Sequence, residues 1–107
     1  MSHPVNIPVV ADDSLSKRNA ARLEMIRQRL EGTLSPLECL LEDESAAHHG
    51  HAGAASGAGH FRLRIVSNQF EGLNLLKRHR LVYDSVRDMM NTEIHALAMT
   101  TLAPSEL

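Results

Sequence analysis

Between Phe70 and Leu97 the sequence passes from a turn into a basic cluster, then an amphipathic helix, then a histidine at the head of a strand. This order constrains the fold more than any other feature. The segment before it, His60–Ser67, alternates, with Phe61, Leu63 and Ile65 inward and His60, Arg62 and Arg64 outward. The segment after it, Ile94–Leu102, is rich in threonine and small apolar residues, as a strand would be. Two strands joined through a helix lie parallel, and such crossovers are nearly always right-handed.

Within the crossover, Leu75, His79, Val82, Val86 and Met89 recur at spacings of four and three, which predicts a helix to about Asn91. Leu73–Lys77 reads as a separate short helical turn before it, and Asn68–Gly72 as a turn. Upstream, Ser14 or Ser16 is a suitable N-cap for a helix to about Glu31, with Leu23, Ile26, Leu30 and Leu34 on one stripe. Gly32 is its expected stop, and Pro36 bars continuation. Leu37–Asp43 alternates, Leu37, Cys39 and Leu41 against Glu38, Leu40 and Glu42, which predicts a half-buried strand antiparallel to His60–Ser67. Between them, Ala46–Gly59 is small residues, four glycines and three histidines; it lacks the large side chains a core needs and reads as a long mobile loop.

The expected fold is therefore α+β, in the order α-β-β-α-α-β: a three-stranded mixed sheet with helices on one face. Residues 1–13 are expected to be a flexible tail, 14–103 a single domain, and 104–107 a frayed end. The 107 residues suit one domain. With no Trp, one Tyr and two Phe, the core must be aliphatic. The lone Cys39 excludes an internal disulfide and a four-cysteine metal site, and its place on the apolar side of a strand favours packing over reactivity. No segment approaches the ~20 apolar residues of a membrane span, so a cytoplasmic protein without membrane association is expected.

Phosphate-loop patterns GxxxxGK[ST] and GxGxxG are absent, as are a nucleophile elbow and paired carboxylates, so an enzyme has little support. Charge is uneven on a chain of net −2. From His60 to Arg87, Arg62, Arg64, Lys77, Arg78, Arg80 and Arg87 stand against Glu71 and Asp84. Such a face suits nucleic acid or an acidic partner, or is simply solvated. The seven histidines are the other outlier. His48, His49 and His51 lie in the loop; His60 and His95 open two parallel strands and so share one end of the sheet. A loop histidine and His95 are thus placed to share an ion. His79, on the apolar stripe, reads as a core-edge residue.

Several short stretches are specific in combination: Glu44-Ser45-Ala46-Ala47-His48, His60-Phe61-Arg62, Val66-Ser67, Phe70-Glu71-Gly72, Arg78-His79-Arg80-Leu81-Val82-Tyr83 and Ile94-His95-Ala96-Leu97-Ala98. They resemble the BolA family over about Ala20–Thr101. The resemblance implies a fold similar to the class II KH domain. It implies a binding protein that pairs with a monothiol glutaredoxin and co-ligates a 2Fe–2S cluster with it and glutathione, for cluster trafficking or iron and redox sensing. His95 matches the family's C-terminal histidine ligand. His48 matches its variable loop ligand, with His49 and His51 as competitors in a longer loop. DNA binding, with regulation of transcription, is the alternative the resemblance carries. Its candidate contacts are Arg62, Arg64, Lys77, Arg78 and Arg80, which equally suit partner docking. His79, Gly72 and Phe70 are expected to be structural, and a weak homodimer is a further expected state.

Overall fold

The computed structural model describes residues 7–45 and 57–107, the side chains of 7–15 excepted. Its elements are α1 (Ile7–Leu34), β1 (Glu38–Asp43), β2 (Gly59–Val66), α2 (Leu75–Ser85) and β3 (Ile94–Leu102), with 3₁₀ turns at Asn68–Phe70, Arg87–Met89 and Pro104–Glu106. The sheet order is β1-β2-β3; β1 is antiparallel and β3 parallel to β2. The α+β architecture and mixed sheet are as expected from sequence. There are two α-helices among the described residues: Leu75–Lys77, expected within a separate short turn, are the first turn of α2, and the turn expected at Asn68–Gly72 contains the 3₁₀ turn Asn68–Phe70.

Alternation in β2 decides which sheet face is covered. Phe61, Leu63 and Ile65 are each at most 2% exposed and join Ile26, Leu30 and Leu34 of α1 and Val82 and Val86 from α2 and its cap in one core. Cys39 and Leu41 of β1 pack against the same cluster. Fully burying each such aliphatic chain contributes about 1.5–3 kcal/mol. The opposite face carries Leu40, Arg62, Ala98 and Thr100, largely exposed.

α1 departs from expectation at both ends. Residues 7–13, expected within a flexible tail, form its first turns; Pro8 falls in the first turn, where its missing N–H costs no hydrogen bond. Residues 1–6 lie outside the described residues. The helix also continues through Gly32 to Leu34, because Leu34 is buried and its carbonyl accepts from Ser67 Oγ at 2.7 Å, while Gln69 Nε2 donates to the Thr33 carbonyl at 3.1 Å. Ser35, at φ 43°, takes the left-handed position that ends it.

α2 is shorter than the expected run to Asn91. Asn74 caps it through a 2.9 Å bond from Lys77 N, and it ends at Ser85 before a 3₁₀ turn that buries Met89. Leu75 is 62% exposed rather than on the core stripe. Gly72, at φ 76°, makes the turn before the helix in a conformation side chains rarely adopt, and Phe70 is fully buried.

Residues 104–107, expected to fray, are held. Glu106 Oε1 accepts from Arg78 Nη1 at 2.7 Å and from Ala103 N at 2.8 Å, and Oε2 accepts from Arg78 Nη2 at 3.0 Å. Arg78 also donates to the carbonyls of Leu73 (2.9 Å) and Thr101 (3.1 Å). Ser105 adds two bonds to the Glu71 carboxylate. One buried guanidinium thus joins the turn before α2, the end of β3 and the 3₁₀ turn after it.

The Arg78 guanidinium, with the Ala103 N–H, lowers the Glu106 carboxyl to about 2. Its stabilisation is therefore present above the ordinary carboxylate range and is lost as pH falls toward 2. In urea titrations Glu106→Gln is expected to unfold at lower denaturant near neutral pH, with the gap to wild type closing on acidification; a gap independent of pH would contradict the assignment. At Gly59, a Cβ would meet Phe61 Cζ at 2.3 Å and Cε2 at 2.5 Å. Gly59→Ala is expected to cost about 1–3 kcal/mol through overpacking, read from the same titrations.

Candidate functional site

The site is built where β2 and β3 begin. Their register shifts between Gly59 and His60: Gly59 pairs with Ile94 and His60 with Ala96, so His95 is the extra residue on β3. A bulge of this kind bends the strand locally and re-aims its side chain. The turn feeding it is fixed by Asn91 at φ 67°, by Thr92 Oγ1 donating to the Asp88 and Met89 carbonyls, and by Gly59 N donating to the Glu93 carbonyl at 3.0 Å.

His60 and His95 come together there as expected, with ring centroids 4.8 Å apart and planes tilted by 46°. Their environments differ. His95 is exposed, whereas His60, expected to point outward into solvent, is 5% exposed. Beside it are the His95 ring and the end of β1, to which its backbone is tied: His60 N donates to Ser45 Oγ (3.1 Å) and its carbonyl accepts from Glu44 N (2.7 Å). The expected loop ligands His48, His49 and His51 lie outside the described residues. The residues flanking that segment do not: Ser45 is bonded to His60, and Gly57 precedes it by three positions. Among the described residues no group of three or more His, Cys, Asp or Glu is arranged to hold a metal. What this arrangement offers is one exposed imidazole on a fixed backbone, backed by a second that is buried.

The basic candidates are not one patch. Arg62 and Arg64 lie on the open face of the sheet and are paired, Arg62 with Glu44 at 2.8 Å and Arg64 with Glu38. Arg78, expected on the docking face, is buried in its bonds to Glu106 and the two carbonyls. Lys77 and Arg80 are exposed on α2, on the other side of the sheet, and no ion pair engages them among the described residues. His79 is half-buried beside them. Burial pushes the Cys39 thiol up, against a smaller opposing effect of Arg27, which leaves it a poor nucleophile.

Sequence reasoning missed a polar group beneath the site. Arg22, outside the stripe of Leu23, Ile26, Leu30 and Leu34, is 6% exposed, and Asn19 is 3% exposed. The signal is visible only in retrospect: Asn19, Arg22 and Ile26 fall at three- and four-residue spacing, so a polar pair extends the buried face of α1 toward the histidines.

Among the described residues no helix is long and apolar enough to cross a membrane. The family described as "BolA-like protein" matches residues 30–106. The chloroplastic protein BOLA1 of Arabidopsis thaliana is 44% identical over 79% of this chain, which spans 55% of that relative's length. The DNA-binding transcriptional regulator BolA of Escherichia coli is 35% identical, over 78% of this chain and 76% of that protein. The solved BolA domain of SufE1 from Arabidopsis thaliana superposes with a TM-score of 0.68 at 44% identity, over 77% of this chain and 91% of that one. None of these names is an enzyme's. The matched span takes in both strand ends that bring His60 and His95 together, and on that span the chain belongs to the BolA-like protein family.

Proposed function

We propose that this chain is a binding protein, not an enzyme, that lends His95 as an imidazole ligand to a 2Fe–2S cluster shared with a monothiol glutaredoxin and glutathione. The observation that carries the reading is the exposed His95 on its bulge, at the end of the sheet where the chain leaves β1 and returns to β2. The segment between holds His48, His49 and His51, and His48 is the second ligand proposed, with the other two as alternatives. The donor set fits such a group only in part: neutral imidazole is a suitable ligand, but the sole thiol, Cys39, faces the core, so thiolate must come from the partner. A shared cluster would carry iron, sulfide and an exchangeable electron. This chain's contribution is to hold one imidazole in place and, by using nitrogen in place of thiolate, to raise the potential. Trafficking or iron and redox sensing suits ligation of that kind, in a reducing compartment taken as the cytoplasm.

A second reading, direct DNA binding, is favoured by the likeness to the DNA-binding transcriptional regulator of Escherichia coli and by the exposed cations Lys77 and Arg80, which no ion pair engages among the described residues. Against it, Arg62 and Arg64 are already engaged by carboxylates, and Arg78 is buried.

Co-purified with a monothiol glutaredoxin, the chain is expected to give a coloured heterodimer containing iron in material taken directly from cells. His95→Ala is expected to change its visible spectrum and lower its iron content. An unchanged spectrum with unchanged iron would remove His95 as a ligand. For the second reading, Lys77→Ala with Arg80→Ala is expected to abolish retention of duplex DNA at low ionic strength and to flatten its salt dependence; absence of salt-sensitive retention by the wild-type chain rules direct binding out.

A further inference from the structure

Beneath the two histidines, one side chain of α1 reaches every segment that leads into them. Arg22 Nε donates to Glu93 Oε1 at 2.7 Å, and Nη1 donates to the Gly57 carbonyl at 2.8 Å and to Asn19 Oδ1 at 2.9 Å. Glu93 stands two residues before His95, and Gly57 three before His60. Those two segments are themselves joined by the bond from Gly59 N to the Glu93 carbonyl. Asn19 continues the network in the other direction: its Nδ2 lies 3.4 Å from Ser45 Oγ, the same oxygen that accepts from His60 N.

Burying a guanidinium is costly unless it is paired and its donors are used. Here the head group is 8% exposed at its side chain, is paired with a carboxylate, and uses its planar fork on three acceptors from separate parts of the chain. Core packing does not require this: one turn further along, the same face of α1 is covered by Ile26 with no polar group. The buried polar pair Asn19 and Arg22 falls near the middle of α1, at the level of the histidines. A lysine could not match it, because an ammonium is a point charge without the fork geometry.

We propose that Arg22, oriented by Asn19, is a positioning residue for the His60–His95 pair: it fixes the backbone leading into both imidazoles, and so sets the direction in which His95 is presented. This rests on the reading of His95 as a ligand. Groups that orient a metal ligand at one remove typically change metal affinity 10–100-fold when lost.

The test uses the full chain twice. In the chain alone, nuclear Overhauser contacts between the His60 and His95 rings are compared in wild type and Arg22→Met, with core methyl signals as the control for folding. The ring contacts are expected to weaken while the core signals persist. In the heterodimer with a monothiol glutaredoxin, Arg22→Met is expected to lose iron to bathophenanthroline disulfonate about 10-fold faster than wild type, with an altered visible circular dichroism spectrum. Glu93→Gln leaves the bonds to Asn19 and Gly57 in place; it is expected to shift both readings in the same direction by less, and it stands in if Arg22→Met does not fold. Ring contacts of wild-type strength in the variants overturn the proposal, as does wild-type iron loss once the contacts have gone. A wild-type chain that carries no iron in the heterodimer sinks the ligand reading instead, and the ring contacts still decide whether Arg22 positions the pair.

Discussion

β2 has a hydrogen-bonded neighbour on each side, and the molecule depends on that double pairing. Its inward residues supply the centre of the core, so a shift of one position would expose Phe61, Leu63 and Ile65 and bury Arg62 and Arg64. Its antiparallel partner places the end of β1 beside His60, and its parallel partner places His95 there too. The two histidines meet as a consequence of sheet register, with one local irregularity that turns His95 outward from an otherwise regular ladder.

What the sequence reveals follows from periodicity. The stripe on α1, the alternation of β1 and β2 and the limits of β3 are all legible because each repeats over several residues. That His60 and His95 share one end of the sheet follows from strand direction. Terminal turns are less legible. The serines near the expected start of α1 are good caps in isolation, yet the helix runs past them to Ile7; Gly32 is a good stop, yet burying Leu34 and satisfying its carbonyl from Ser67 favours two further residues. Signals of a single residue lose to packing that involves residues far away in sequence.

The arginines show the same limit more sharply. In the sequence Arg78 sits in a basic triplet that reads as part of a docking face, and Arg22 lies in a helix studded with charge. Each is buried, because acceptors distant in sequence converge on it, Glu106 and the Thr101 carbonyl for Arg78 and Glu93 and the Gly57 carbonyl for Arg22, beside nearer ones from Leu73 and Asn19. A count of positive residues cannot separate a cation that faces solvent from one that joins segments. Once these are set aside, the basic character expected of the Phe70–Leu97 stretch contracts to Lys77 and Arg80 on one face of α2, and the emphasis within that stretch moves to His95.

The parallel pairing has a consequence for folding order. Antiparallel β1 and β2 join residues such as Leu41 and Leu63, while β2 and β3 join Leu63 to Met99 across the whole of α2. Contacts so distant along the chain bring late reward for the entropy of closing the loop, and parallel pairing forms slowly. A nascent or partly unfolded chain can therefore own both imidazoles without bringing them side by side. The histidine pair exists only once β2 and β3 have paired, so a partner that recognises it would engage chains whose sheet is complete and pass over those whose sheet is not.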